Sequence, residues 1–333
     1  TVTRASGGGG GALCVVSGRL DIARCSFRSN SVAGSPGTET YSGVLQYSQL
    51  YGGGDALGGA LFLSDSDALL DRVQFQGNSA TGGIYDGAAH GGGIFSRRTR
   101  LSMTNSILEG NGVLTLDGGQ SGEAPAGHPA GPATGGGIHA EEGESVLAGS
   151  TLFANHLLSG NGGNGPNGGG AAGPSQGGAL RISHGRLELQ NCTICSNRTD
   201  AGYGSFRYGL YESCTVGGST YGAGLYLSDA TGHIAHCTIA GNISRGGTIP
   251  AWAGSGGAGC GTGSGFGSGL FMVGGSTLLD SSILLDEILS ASYGNPAQIE
   301  SLGYNLLGSP GGLTSSSPRD LWGLDPGLLA EAT

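Results

Sequence analysis

Residues 177–197 read GGALRISHGRLELQNCTICSN, and the same pattern recurs along the chain. The stretch opens with a glycine-rich tetrad that ends at Leu180. It closes with Ile194, two spacer residues and Asn197. Between these two motifs apolar and polar residues alternate, which predicts short strands with one buried face. A repeat of this kind has to be identified first, because it determines the architecture of the whole chain.

The glycine-rich tetrad occurs seven times. Its copies are GGAL at 10–13, GGAL at 58–61, GGGI at 91–94, GGGI at 135–138, GGAL at 177–180, GAGL at 222–225 and GSGL at 267–270. A large apolar residue, two spacers and an asparagine follow the first six copies. These asparagines are Asn30, Asn78, Asn111, Asn155, Asn197 and Asn242.

The spacing between the two motifs is nearly constant. From the end of the tetrad to the large apolar residue the step is 14 residues in the first six copies, as from Leu61 to Phe75. In the seventh copy we assign Ile283 and Asp286 to the second motif, which gives a step of 13 residues. This regularity establishes the register of the repeats.

The units predict an all-β fold. Each reads as strand, short polar turn, strand, asparagine and long loop, which favours a single-stranded parallel β-helix of seven coils spaced about 4.8 Å apart. We expect the tetrad glycine to form a corner with positive φ, and the six asparagines to form a hydrogen-bonded structural ladder at another corner, where the left-handed conformation is tolerated. The β-helix is predicted for residues 1–286, and an irregular cap for residues 287–333.

Composition excludes several other classes of protein. Glycine accounts for 73 of 333 residues, lysine is absent, and the net charge is −10. Glycine without a three-residue period excludes collagen, and it also argues against a helical bundle. The negative charge argues against a broad nucleic-acid-binding face, and no apolar run is long enough to predict a membrane span.

Long loops separate each asparagine from the next tetrad. They comprise residues 31–57, 79–90, 112–134, 156–176, 198–221 and 243–266. All insert at one corner, so we expect them to stack on one side as the working face, joined by mutual backbone hydrogen bonds. Their aromatic residues either cover the glycine layers or form a contact surface for carbohydrate or protein. The candidates for this surface are Tyr203, Phe206, Tyr208, Tyr211 and Trp252.

The seven cysteines fall into groups by register. Cys25, Cys192 and Cys237 each lie two residues before the large apolar residue, so we expect them in one inward column as thiols. Cys214 and Cys260 lie at nearly equal distances after Asn197 and Asn242. We predict a disulfide between these two, which would indicate an oxidising compartment.

No catalytic residue or cofactor is predicted from the motifs. The patterns of serine hydrolases, zinc proteases and P-loop proteins are absent. Acidic residues cluster in the turn between the two strands of a coil, including Asp65 and Glu142. They predict an acidic edge that is either simply solvated or a weak calcium site. Asn197 and Asn242 also begin glycosylation sequons.

The paired motifs at residues 7–286 resemble the repeats of chlamydial polymorphic membrane proteins and related bacterial β-helix surface proteins. This resemblance implies a right-handed parallel β-helix. The sequence Ser-Leu-Gly-Tyr-Asn-Leu at 301–306, followed by Asp325 and Pro326, resembles the choice-of-anchor Q region that closes many bacterial secreted β-helix proteins. Such families include adhesins, autotransporter passengers and exoproteins, and a minority of β-helices are polysaccharide lyases or hydrolases.

We therefore predict a secreted or surface-displayed bacterial protein with a structural or adhesive role, and not an enzyme. Its location would be extracellular or at the cell surface. Its partners would be carbohydrate, protein or neighbouring subunits, including end-to-end association into a filament. The alternative is a polysaccharide lyase or hydrolase, which needs an outward groove with two carboxylates and an arginine on adjacent coils.

Overall fold

A computed structural model describes residues 3–4, 8–42, 47–119, 127–165, 169–205, 215–248, 261–291, 296–309 and 311–324. These residues are all-β and contain no helix. Their strands, numbered β1 to β39 along the chain, pair in parallel except for one antiparallel hairpin. Each of the first six repeat units contributes strands to four sheets in a fixed order, and the seventh contributes strands to the first three.

The first sheet contains two-residue strands that precede the tetrads. They are β2 (Gly8–Gly9), β9 (Ala56–Leu57), β14 (Ala89–His90), β19 (Ala133–Thr134), β24 (Ser175–Gln176), β29 (Thr220–Tyr221) and β33 (Gly265–Phe266).

The second sheet has two halves, separated by a turn in the first five units. The first half contains β3 (Leu13–Val16), β10 (Leu61–Ser64), β15 (Ile94–Arg97), β20 (Ile138–Glu141) and β25 (Leu180–Ser183). The second half contains β4 (Arg19–Ala23), β11 (Asp67–Asp71), β16 (Arg100–Thr104), β21 (Glu144–Ala148) and β26 (Arg186–Gln190). Two strands run through both halves, β30 (Leu225–Ala235) and β34 (Leu270–Asp280), and two more pair with β34, namely β36 (Ile288–Ser290) and β37 (Gln298–Gly303).

The third and fourth sheets complete each unit. The third contains β5 (Ser26–Arg28), β12 (Gln74–Gln76), β17 (Ile107–Glu109), β22 (Thr151–Phe153), β27 (Thr193–Cys195), β31 (Thr238–Ala240), β35 (Ile283–Leu284), β38 (Leu306–Leu307) and β39 (Leu321–Trp322). The fourth contains β6 (Ser31–Ala33), β13 (Ser79–Thr81), β18 (Gly112–Leu114), β23 (His156–Leu158), β28 (Arg198–Asp200) and β32 (Ile243–Arg245). A small separate sheet is formed by β1 (Thr3–Arg4), β7 (Thr38–Ser42) and β8 (Tyr47–Gly52).

Strand pairing follows the register read from the motifs. Leu61 pairs with Leu13 and Ile94, and Phe75 pairs with Phe27 and Leu108. The seventh unit requires a correction, since Leu284 and not Ile283 pairs with Ile239. Leu284 is fully buried, so the 14-residue step extends to this unit as well. Two adjacent apolar residues had made the assignment ambiguous.

Left-handed residues form four corners in each of the first six units. In the second unit these are Gly58, Asp65, Arg72 and Gly77, with φ between 51° and 69°. The tetrad glycine takes positive φ as expected. At the asparagine corner, however, the left-handed residue is the one that precedes the asparagine, because the asparagine itself is held by ladder hydrogen bonds.

Two apolar cores lie inside the stack of units. The larger core joins the second and third sheets through leucine, isoleucine and phenylalanine columns, of which Leu61 and Phe75 are fully buried members. The smaller core lies between the first and fourth sheets and consists mainly of alanine, with Val113 and Leu157. Because these side chains are small, the first and fourth sheets can lie close together.

The six asparagines form one continuous ladder. The Asn111 side-chain amide donates to Phe75 O at 2.9 Å and to Asn155 Oδ1 at 2.9 Å. Asn111 Oδ1 accepts from both the backbone N–H and the amide of Asn78, at 3.1 and 2.8 Å. The ladder ends at Asp286, whose carboxylate accepts hydrogen bonds from Asn242, and no further ladder residue follows it in the described part of the chain.

The two ends of the stack differ. Residues 287–333 were expected to be irregular, but β36 to β39 continue the second and third sheets. Leu313 and Trp322 pack there against the larger core. At the opposite end Leu13 and Phe27 are only partly buried, since no further unit covers them among the described residues.

Candidate contact groove

The outward face of the fourth sheet carries side chains that the core does not use. Alternation places Leu157 inward and its neighbours His156 and Leu158 outward. In register with them on the next strand, Arg198 and Asp200 also point outward. Leu158 is 46% exposed and Ile243, on the last strand of this sheet, is 42% exposed. This face therefore mixes apolar and charged groups at strand spacing.

The chain segments that leave the fourth sheet form a rim beside this face. We call these segments the outgoing arms: residues 115–119, 159–163, 201–205 and 246–248. Asp117 Oδ1 accepts from the backbone N–H of Asn161 at 2.8 Å, and Asn161 Oδ1 accepts from that of Tyr203 at 2.7 Å. Each side chain thus fixes the arm of the following unit, and Tyr203 remains 47% exposed.

Returning arms lie behind the rim and hold it by backbone hydrogen bonds. They comprise residues 127–132, 169–174, 215–219 and 261–264. Gly218 donates to Gly202 O at 3.0 Å, Gly247 donates to Gly218 O at 2.8 Å, and Gly263 donates to Gly247 O at 2.7 Å. This chain of bonds crosses from arm to arm and from unit to unit, as expected from the glycine content.

The rim and the fourth sheet enclose an open groove of about 920 Å³. We call it the contact groove. It is lined by Leu114, Thr115, Asp117, His156, Leu157, Leu158, Ser159, Gly160, Asn161, Arg198, Asp200, Ala201, Gly202, Tyr203, Arg245, Gly246 and Thr248.

Charges within the contact groove are paired or balanced. Arg198 contacts Asp200 through two hydrogen bonds, one of 2.7 Å from Nη2 and one from Nε, and this pairing raises the pKa of the guanidinium. Burial lowers the pKa of His156, which keeps the imidazole neutral at pH 7. Gly112 makes room for this ring, since a Cβ there would lie 2.5 Å from His156 Nε2.

The contact groove contains one of the five residues predicted for the contact surface. Tyr203 lines it, whereas Phe206, Tyr208, Tyr211 and Trp252 lie outside the described residues. The predicted disulfide partners Cys214 and Cys260 lie outside them as well. The asparagine ladder is buried and takes no part in the groove. Asn197 and Asn242 are 0% and 4% exposed, which argues against glycosylation of either sequon in the folded chain.

Sequence reasoning missed most of the groove, including His156, Arg198, Asp200 and Arg245. From one unit to the next, equivalent groove residues lie 42 or more positions apart in the sequence, as His156 and Arg198 do. Only the register of the strands shows that they are neighbours. The alternation around the inward residues Leu157 and Thr199 was the available signal, but three residues are too short for a convincing strand pattern.

The predicted acidic edge is instead a set of ion pairs. Arg98 Nε lies 2.6 Å from Asp65 Oδ1, and Arg97 and Arg98 both approach Glu142, at 3.4 and 3.9 Å. The Arg98 hydrogen bond lowers the pKa of Asp65 to about 2. Among the described residues, no group of three histidine, cysteine or acidic side chains is placed to hold a metal ion.

A buried polar cluster lies between the first and second sheets. His139 is fully buried, with Nδ1 2.8 Å from Thr134 Oγ1 and Nε2 2.6 Å from Arg181 Nη1. Because a guanidinium only donates, His139 Nε2 accepts and Nδ1–H donates to Thr134. Thr134 in turn donates to His90 Nδ1 at 2.5 Å. Burial lowers the pKa of His139, so this ring is neutral.

Comparison with family models, curated proteins and solved structures finds no match to this chain. A long apolar helix of the kind that crosses a membrane is absent from the described part of the chain. The contact groove therefore has to be interpreted from its own chemistry.

Proposed function

We propose that the chain is a right-handed parallel β-helix that serves as a secreted or surface-displayed adhesive scaffold. Each of the first six units visits the four sheets in the same order, and neighbouring units pair in parallel. Parallel strands joined by crossovers are right-handed in nearly all proteins, which supports the handedness. The resemblance to bacterial surface β-helices supports the location outside the cell.

The observation that carries the adhesive role is the contact groove on the loop side. Its rim is fixed by the Asp117 and Asn161 hydrogen bonds and by the glycine bonds between arms. A rigid site loses little conformational freedom on binding, which favours affinity. Exposed Tyr203 and Leu158 give it apolar contact area beside polar groups.

The lyase or hydrolase alternative has less support. Asp117 and Asp200 belong to the third and fifth units, about 10 Å apart along the stack. Asp117 accepts a backbone N–H and Asp200 accepts from Arg198, so both carboxylates already have partners within the groove. A glycosidase needs two carboxyl groups that can act directly on the scissile bond. We therefore propose contact and not turnover as the role of the groove.

Adhesion can be tested with the purified chain, fluorescently labelled and applied to bacterial cells, epithelial cells and extracellular matrix. We expect saturable retention on at least one surface, and a loss of about tenfold in the double variant Tyr203→Ala, Arg245→Ala. Arg100→Ala, exposed on the second sheet and outside the groove, serves as the matched control and should bind normally. No retention on any surface, or equal retention of all three proteins, would refute the proposal.

A further inference from the structure

We propose that the contact groove binds a neutral, linear oligosaccharide laid along the stack of units. This inference rests on the proposed contact function and adds the chemical class of its ligand. It follows from the charge, the dimensions and the repeat of the groove.

The contact groove carries no formal net charge. Two arginines, Arg198 and Arg245, line it together with two carboxylates, Asp117 and Asp200. The neutral His156 adds no charge. An ionic ligand would gain no net Coulomb attraction and would still lose its hydration, whereas hydroxyl groups can use the donors and acceptors of a paired arginine and carboxylate.

The side chains of the rim follow the repeat of the units. Asp117, Asn161, Tyr203 and Thr248 occupy equivalent positions on successive arms, and the units are about 4.8 Å apart. The groove thus offers a polar side chain at each of these regular intervals along its length, although the residue type differs from unit to unit. A polymer of identical units can place equivalent hydroxyl groups against them, while a folded protein surface has no such period.

The surface of the groove combines small apolar areas with polar groups. Tyr203 and Leu158 supply separate small apolar platforms among the polar groups of the groove. Sugar rings present apolar C–H faces bordered by hydroxyl groups, and aromatic side chains suit them. At about 920 Å³ the groove also falls within the range of small-ligand sites. A stable protein partner would have to bury a much larger area.

The test is a microarray of linear glycans, neutral and acidic, followed by calorimetry with cellohexaose, xylohexaose, mannohexaose and hexagalacturonate. We expect a neutral hexasaccharide to bind at least about tenfold more tightly than hexagalacturonate. Its affinity should change less than about twofold between 50 and 500 mM salt, since no charges pair on binding. Tyr203→Ala should weaken it about tenfold, and Arg100→Ala should not. Circular dichroism and the urea midpoint verify that each variant is folded.

The outcomes separate this inference from the proposed function. Binding of acidic glycans alone, of protein alone, or of no glycan overturns the oligosaccharide assignment, while retention on a cell surface would leave the adhesive role intact. Neutral glycan binding that survives Tyr203→Ala in a folded variant also overturns it, because the ligand would then bind elsewhere. Loss of retention on every surface together with absence of glycan binding refutes both.

Discussion

The asparagine ladder makes a quantitative prediction, because its interior and its end differ in the number of hydrogen bonds. We consider Asn111→Ala in the interior and Asn30→Ala at the end. Asn111 takes part in five ladder hydrogen bonds, all fully buried, and its alanine variant loses four of them. Only the bond from its backbone N–H to Asn155 remains. The Asn30 side chain makes one partly buried bond, to Asn78 Oδ1.

The two substitutions should differ in their cost in free energy. Each hydrogen bond contributes about 1 kcal/mol net, so Asn111→Ala should lower the free energy of unfolding by about 4 kcal/mol. It also strands the backbone N–H of Asn78 in a buried site, which adds about 1–2 kcal/mol. Asn30→Ala should cost about 1 kcal/mol or less, because water can reach that end of the ladder.

Equilibrium urea unfolding, followed by far-ultraviolet circular dichroism, measures both changes. Since the two substitutions remove the same atoms, side-chain size cancels in the comparison. We expect Asn111→Ala to cost at least about 3 kcal/mol more than Asn30→Ala. Equal losses would show that the asparagine side chains act only locally at each corner. The ladder reasoning would then be wrong.

Two further changes test other parts of the fold. Burial, together with the nearby His139, lowers the pKa of His90 to about 3. The contribution of neutral His90 to stability should therefore be complete above pH 6.5 and fall toward pH 3. His90→Leu copies the paired Leu57, and it should reduce the stability lost between pH 7 and pH 4.5 by about 2.7 kcal/mol, as measured by urea unfolding. An unchanged loss of stability would contradict this. Gly202→Ala would place a Cβ 2.1 Å from Gly160 O, which should cost about 3 kcal/mol of stability and lower the thermal midpoint. Gly261→Ala meets only Val216, at 3.4 Å, among the described residues and should be nearly neutral. Similar midpoints for the two variants would mean that the arms do not pack as described.

Much of the core could be predicted from the sequence because its positions repeat. The 14-residue step from Leu61 to Phe75 recurs in every unit, so one register places two columns of buried residues at once. The same step predicted that the asparagines would align. Buried positions are readable in this way because each unit has to present the same face to its neighbours.

The first and fourth sheets could not be predicted in the same way. Their strands, such as β9 and β18, are two or three residues long and lie within segments whose glycine content is typical of linkers. Alternation over three residues carries little information. The outward residues of these strands also vary freely between units, as from Gly112 to His156 to Arg198, and so leave no repeating pattern.

Glycine abundance and the contact groove are two aspects of one arrangement. A Cβ at Gly160, Gly202 or Gly247 would lie 2.1, 2.1 or 1.8 Å from a carbonyl oxygen of the preceding unit's arm. Side chains there would force the arms apart, and the side-chain bonds along the rim from Asp117 to Tyr203 would break. The arms can therefore keep the close spacing of the strands in the fourth sheet only at positions that are occupied by glycine. A composition typical of flexible linkers here produces a rigid rim, because a neighbouring backbone fills nearly every space that a side chain would otherwise take.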